Sequence, residues 1–418
     1  MLLSHPSAIA APTKPASTLA ITSLRLQNFR NYSASHLTLP NLSGLNGHGG
    51  QSGLRSSSVV LVGANGAGKT NMLEALSLLA PGRGLRRAKA DLLAHQAAPS
   101  QTDAHAIWSI AAELETADGP LRLGTGTMLQ DDGGTGRRII KINGEFSSQS
   151  ALAEHLAISW LTPDMDGVLA AAASERRRFL DRLVIAFDPA HSGRIQRYEK
   201  AYRQRNRLME EGQQDQSWFE ALEAQMAESG MAIIAARQAM VDALDVEAAM
   251  PLPSFPSARL RLDGDVETWL ENMPAVDAED RIKSEAKANR LNGITTMPGP
   301  MNTLLTVSHS KTGQSAELSS TGEQKALVIS VVLAHARLQT KRLRRPQLLL
   351  LDDIVSHLDE ARRQSLFELT AEFSGQVWFS GTDADAFATM QNHHDIVFIE
   401  DGDVVDLPSP TTAVRSSS

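Results

Sequence analysis

The sequence predicts an α/β protein. It combines an α/β head, an antiparallel β subdomain and an inserted, mainly helical lobe. Three stretches carry this expectation. Residues 59–79 (VVLVGANGAGKTNMLEALSLL) read as a buried strand, a glycine-rich turn and a helix. Residues 105–144 alternate in the manner of paired strands, and residues 194–247 are helical and mostly polar.

In the first stretch Val59, Val60, Leu61 and Val62 form the strand, and Gly63, Gly68, Lys69 and Thr70 complete the pattern G-x-x-x-x-G-K-[ST]. Gly63, Gly66 and Gly68 lack a Cβ and are expected at positive φ, where the backbone curls around a phosphate chain. Their N–H groups and the positive end of the following helix then face the phosphate oxygens. Lys69 supplies a cation and Thr70 a hydroxyl for Mg²⁺. A chance glycine-rich turn is the plainer alternative, but eight residues in a strand–turn–helix context rarely arise by chance.

The bulk properties narrow the setting. At 418 residues the chain exceeds what one core usually serves, so two lobes are expected. A content of 42% hydrophobic and 21% charged residues is that of a globular protein. With no cysteine there is no disulfide and no thiolate metal site, which fits a reducing compartment. No apolar run approaches the roughly 20 residues a membrane helix needs, so no membrane partner is expected. A net charge of −8 gives no global attraction for nucleic acid, so any DNA contact rests on local basic patches.

In chain order, residues 1–18 are expected to be a disordered leader, since they lack a basic start ahead of an apolar core. Residues 21–31 alternate Leu24 and Leu26 with Arg25 and Gln27, the pattern of a half-buried strand ended by Phe29-Arg30-Asn31. Residues 41–58, rich in Gly, Ser and Asn, read as a flexible loop. Arg83, Arg86, Arg87 and Lys89 follow the P-loop helix; a solvated loop and a DNA-phosphate contact explain them equally. Turns are expected at Asp131–Gly134 and at Asn143-Gly144, making a meander after the P-loop helix. Arg176, Arg177 and Arg178 are consecutive on a helix and so point in three directions. Further on, Arg194, Arg197, Lys200, Arg203, Arg205 and Arg207 form a cationic helix, read either as a solvated face or as a phosphate-binding one. Trp218, Leu222, Met226, Ser229, Ile233, Ala236, Met240 and Leu244 step by threes and fours as a packing seam. Pro251, Pro253 and Pro256 end the helical part, Arg259–Leu262 suits one strand, and residues 278–291 suit another helix.

Residues 347–353 (QLLLLDD) form an apolar strand ending in acids, as a Walker B element does: the strand delivers Asp352 to a metal beside the P-loop. Asp353 stands where a base or water-orienting carboxylate would. Ser320-Thr321-Gly322-Glu323 opens a helix. It is a good N-cap, and equally a signature loop offering a hydroxyl and a helix N-terminus to the γ-phosphate of a nucleotide on another subunit. P-loop, signature and Walker B occur in the order of an ABC-type P-loop ATPase head, with Asp352 32 positions after Ser320.

At this point a family resemblance appears. Asn65-Gly66-Ala67-Gly68-Lys69-Thr70-Asn71 resembles the P-loop of the SMC and RecF branch of ABC ATPases. The 251 residues from Lys69 to Ser320 are too few for a long coiled-coil arm and too many for a compact transporter ATPase. Residues 24–32 (LRLQNFRNY), 160–169 (WLTPDMDGVL), 175–184 (ERRRFLDRLV), 320–328 (STGEQKALV) and 348–363 (LLLLDDIVSHLDEARR) are similar to the RecF family, over about residues 20–405.

The resemblance implies that Gly63, Ala64, Asn65, Gly66, Ala67, Gly68, Lys69, Thr70 and Asn71 bind ATP, that Thr70 and Asp352 hold Mg²⁺, and that Lys69 and Asp353 are catalytic. It implies that Ser320 and Gly322 contact ATP in trans and that Asp359 is the D-loop residue coupling two sites. Asp164 falls near the Q-loop position, Thr382 replaces the switch histidine of transporter ATPases, and Met301-Asn302 stands where relatives often have His-Arg. The expected architecture is an N-terminal head part at 19–164, a helical lobe at 165–295, a C-terminal head part at 296–406 and a disordered tail at 407–418. The implied function is a cytoplasmic, ATP-dependent DNA-binding protein of recombinational repair, replication restart and the SOS response. It would bind single-stranded or gapped DNA, pair as an ATP-dependent homodimer, hydrolyse ATP slowly as a switch and work with RecO and RecR. Another SMC-like repair ATPase, a transporter ATPase subunit and a non-hydrolysing nucleotide-binding scaffold are the competitors.

Overall fold

A computed structural model describes residues 19–39, 58–95, 107–129, 135–213, 215–343, 345–373, 375–390 and 394–405. The expected leader and tail, the Asp131–Gly134 turn and nearly all of the 41–58 loop lie outside these residues. The chain forms two compact units. One takes the described residues of 17–160 and 346–418, the other those of 161–345.

The first unit holds two six-stranded sheets. In the antiparallel sheet, β1 (Leu19–Phe29) pairs with β2 (Tyr32–Thr38) and with β4 (Ser109–Thr116). From β4 the sheet continues through β5 (Gly119–Leu129), β6 (Thr135–Ile142) and β7 (Glu145–Ser147). The alternation read at Leu24 and Leu26 holds: both are buried, while Arg25 and Gln27 are not. Asn143 and Gly144 have φ of 52° and 91°, the two left-handed residues of a tight hairpin turn. The meander expected after the P-loop helix is therefore present, and the N-terminal strands β1 and β2 complete its sheet.

The second sheet runs β14-β13-β3-β12-β11-β8. Its strands are β3 (Ser58–Val62), β8 (Ala157–Leu161), β11 (Gln347–Leu351), β12 (Gln376–Gly381), β13 (His394–Glu400) and β14 (Asp403–Val405). β3 lies between β12 and β13 and is parallel to both. Every residue of β3, β11 and β12 is buried, which is why β3 and β11 read as apolar runs. Helix α1 (Lys69–Ser77) follows β3, and Met72 through Ser77 are all buried. Two further helices, α2 (Leu152–His155) and α9 (Glu360–Ala371), belong to this unit.

The second unit is mainly helical: α3 (Ala173–Ile185), α4 (His191–Glu210), α5 (Gln216–Ala248), α6 (Asp265–Leu270), α7 (Ala275–Leu291) and α8 (Thr321–Arg342). A two-stranded sheet joins β9 (Ala258–Asp263) to β10 (Leu304–His309). Here β9 is the strand read at Arg259–Leu262, and β10 is an element the sequence reading did not place. The division differs from the boundary set at 295/296, because residues 296–345, with the whole of α8, group with the helical lobe.

Two expectations about this lobe need correction. Arg205 is not part of a cationic surface: it is fully buried, 3.0 Å from Glu223, and donates to the carbonyls of Ala286 and Thr295. Buried charge of this kind survives only when paired and hydrogen-bonded. Trp218 is 43% exposed and does not join the seam, which begins instead at Phe219 and Leu222. The three arginines of α3 do diverge. Arg176 pairs with Glu317, Arg177 donates to the Thr303 carbonyl and Arg178 pairs with Glu175.

Candidate nucleotide-binding site

Strand β3 delivers the P-loop at its C-terminal end. Gly66 and Gly68 have φ of 86° and 125°, so the positive-φ reading holds for these two. For Gly63 the reason is different. It is not among the positive-φ residues; instead, an added Cβ would lie 2.2 Å from the Ile399 carbonyl oxygen. Gly63 is needed because β13 runs against the start of the loop. At Gly68 both demands coincide, since a Cβ there would also meet Asn31 Nδ2 at 2.7 Å.

Lys69 is buried and turns its ammonium back across the loop mouth, donating to the carbonyls of Gly63 (2.6 Å) and Ala64 (2.7 Å). Burial pushes its pKa down, while Asp353 and Asp352 oppose that shift. Neutral carbonyls do not neutralise the ammonium, so it stays available to an anion at the loop.

The Walker B acid meets the P-loop directly. Thr70 Oγ1 donates to Asp352 Oδ1 at 2.9 Å, linking residues 282 apart in sequence. Ser380 Oγ, buried at the end of β12, donates to the same oxygen at 2.7 Å and accepts the Asp353 N–H at 2.9 Å. One hydroxyl thus orients both acids. Burial raises the Asp352 pKa, against the hydrogen bonds from Ser380 and Thr70. A desolvated carboxylate beside a threonine hydroxyl is a set of hard oxygen donors that suits Mg²⁺. Asp353 sits at φ 49°, a conformation seldom taken by a non-glycine residue, and Ser356 Oγ donates to its carboxylate at 2.8 Å.

The remaining predicted residues are placed as follows. Ala64, Asn65 and Gly66 are exposed at the loop tip, and Asn71 lies in the first turn of α1. In the other unit Ser320 N-caps α8 in a capping box. Its Oγ accepts from the Glu323 N–H at 3.4 Å, and its own N–H donates to Glu323 Oε2 at 2.9 Å. Ser320 and Gly322 are exposed. Asp359 N-caps α9 by accepting the Arg362 N–H at 2.9 Å. Asp164 and Thr382 are exposed, as is Met301, beside a Pro300 carbonyl that accepts from Arg237.

Residues 20–404 match the family model described as RecF/RecN/SMC N terminal domain. The DNA replication and repair protein RecF of Mesorhizobium japonicum is 42% identical over 393 residues, covering 92% of this chain and 97% of that protein. The chain belongs to the RecF family. RecF of Rhizobium rhizogenes is 42% identical over 376 residues, covering 88% of this chain and 94% of its own. Among solved structures, one described as the recombination mediator protein RecF-ATP in the RecFOR pathway has a TM-score of 0.72. It is 20% identical and covers 94% of this chain and all of that one. A second, described as RecF-ATPrS, has a TM-score of 0.76 at 20% identity, with the same coverage. At that identity both neighbours speak for the fold alone, an ABC-type head of the RecF kind.

Within this RecF-family head, sequence reading missed Ser380 as the partner of both acids, and Asn31 and Tyr32 as partners of the P-loop. Asn31 Nδ2 donates to the Ala67 carbonyl at 2.9 Å and Tyr32 Oη to the Gly68 carbonyl at 3.0 Å. A signal was present at each place: a hydroxyl just after the apolar run Val377-Trp378-Phe379, and an Asn-Tyr pair at a turn after Phe29.

Proposed function

We propose that this chain is an ATP-dependent DNA-binding protein of recombinational repair and replication restart. Relatives over nine-tenths of its length carry the name DNA replication and repair protein RecF, and structural neighbours are described as RecF with ATP in the RecFOR pathway. The observation that carries the nucleotide reading is the 2.9 Å contact between Thr70 and Asp352, which joins the P-loop to the Walker B strand.

In this reading residues 63–71 hold ATP. Backbone N–H groups of the loop and the Lys69 ammonium take the β- and γ-phosphates, and Thr70 and Asp352 hold Mg²⁺. Mg²⁺ held by these two residues would offset the charge that develops on the phosphate oxygens. Asp353 orients the attacking water and accepts its proton, held in place by Ser356 and by the Ser380-bound backbone. Phosphoryl transfer depends chiefly on positioning and charge stabilisation, which suits slow hydrolysis used as a switch. Ser320 and Gly322 are exposed at a helix N-terminus and suit the γ-phosphate of ATP on a second copy, giving an ATP-dependent homodimer with Asp359 near the shared face. The closed dimer would hold single-stranded or gapped DNA and act with RecO and RecR in the cytoplasm. Among the described residues no helix is long and apolar enough to cross a membrane.

Sedimentation with gapped duplex DNA, with and without Mg–ATP, tests this. The wild-type chain is expected to sediment as a dimer on DNA only with ATP, and Lys69→Met to remain monomeric and weakly bound. A Lys69→Met chain that still pairs on adding ATP overturns the sandwich. A wild-type chain indifferent to both ATP and DNA overturns the function.

A further inference from the structure

We propose that Asn31 is a positioning residue for the bound nucleotide, acting through the Ala67 carbonyl and a closed ring of side chains on the P-loop helix. This rests on the nucleotide reading above.

The ring is built from three segments. Asn31 Nδ2 donates to the Ala67 carbonyl at 2.9 Å, and Asn31 Oδ1 accepts from Asn71 Nδ2 at 2.7 Å. Asn71 Oδ1 in turn accepts from Arg86 Nη1 at 2.6 Å. Arg86 approaches Glu74 at 3.5 Å, and Arg30 closes the circuit on Glu74 with two bonds, Nε at 2.9 Å and Nη2 at 2.7 Å. The direction of every amide is dictated from the ends. The Ala67 carbonyl can only accept and the Arg86 guanidinium can only donate, so a flip of either asparagine would set like groups together. The Glu74 carboxylate is fully buried and would be costly without its two arginines.

The effect falls on the phosphate cradle. In a planar trans peptide the C=O and the following N–H point in opposite directions. Asn31 draws the Ala67 carbonyl toward the β1–β2 turn, and Gly402 N–H, from the β13–β14 turn, grips the same oxygen at 2.9 Å. The Gly68 N–H is therefore turned the other way. Tyr32, donating to the Gly68 carbonyl, does the same for the Lys69 N–H. Two successive amide groups turned outward make the kind of concavity that binds an anion. The turn is shaped for this task, with Asn28 and Arg30 at φ of 51° and 54°. No Cβ fits at Gly402, where one would lie 2.3 Å from the Asn31 carbonyl oxygen. The same ring fixes Arg86 through Asn71 and Glu74. Asn31 thus sets the P-loop amides and a cation of the 81–89 loop together.

The test measures ADP and ATP binding by calorimetry in full-length Asn31→Ala and Asn31→Asp, alongside thermal melts without nucleotide. Both variants are expected to weaken ADP and ATP about tenfold, the worth of one buried hydrogen bond. Asp should do no better than Ala, because a carboxylate cannot donate to Ala67. If either chain does not fold, Tyr32→Phe, which removes only the hydroxyl on Gly68, carries the test with an expected severalfold loss. Variants that melt earlier yet bind ADP like the wild type overturn the proposal and leave Asn31 a staple of the fold. A wild-type chain that binds no nucleotide overturns the underlying reading instead.

Discussion

Replacing Ser380 with alanine removes one hydroxyl and disturbs both acids at once. The lost groups are a 2.7 Å donor to the Asp352 carboxylate and a 2.9 Å acceptor for the Asp353 N–H. A hydrogen bond to a charged group contributes about 1.5–3 kcal/mol, and an amide left without its acceptor costs a comparable amount, so a loss of about 3–6 kcal/mol is expected. Urea unfolding followed by tryptophan fluorescence measures it, helped by the fully buried Trp378 two residues upstream on β12. In the proposed reading, the second effect is on Mg²⁺ binding. Removing a partner that orients a ligand typically weakens metal binding about 10- to 100-fold. The Mg²⁺ concentration needed for nucleotide retention should rise accordingly, while metal-free nucleotide binding, governed by residues 63–69, stays as it was. Ser380→Thr, which keeps the hydroxyl, should restore both. A Ser380→Ala chain that unfolds more easily but keeps the wild-type Mg²⁺ requirement refutes the orienting role.

Two further outcomes are expected. Ser320→Arg should leave ATP binding by the single chain unchanged and abolish ATP-dependent pairing in sedimentation; loss of ATP binding itself would mean that the signature reading is wrong. His335 is fully enclosed, and burial pushes its pKa down to about 4 from the usual 6.5. The unfolded chain therefore binds the extra proton, so this residue's contribution is whole above pH 6.5. It falls by up to about 3 kcal/mol as pH drops from 6.5 to 4, and no further below that. Thermal melts from pH 4 to 7 should show a flatter profile for His335→Gln than for the wild type; parallel profiles would place the acid sensitivity elsewhere.

The parts of the head that could be read from sequence are those whose reasons are local. The P-loop needs glycine at residues 66 and 68 for conformational reasons, and the strands β3 and β11 are apolar because both faces are covered. What escaped is set by distant neighbours. Gly63 is required by a carbonyl 336 residues further on, and Ser380 finds Asp352 only when β11 and β12 lie side by side. Arg205 shows the limit of composition. It stands among other cations in the sequence, yet it falls in step with the buried Tyr198, Ala201 and Leu208, at intervals of three and four, and that spacing marks the inner face of α4. Its partner Glu223 lies on another helix, so only the periodicity could have revealed it.

The placing of β3 between β12 and β13 bears on how the protein is made. β3 leaves the ribosome 314 residues ahead of the first residue of β12, its nearer partner in sequence. At about 5–20 residues per second that is a wait of roughly 15–60 s. Throughout it an apolar strand with both edges open must be kept from pairing with strangers. The nucleotide loop at its end cannot take its final form until the last strands arrive, Gly402 among them. Synthesis thus imposes an order on this molecule. The motif written nearest the start is among the last to become competent, and a chain truncated before β12 should be a client for chaperones with no grip on ATP.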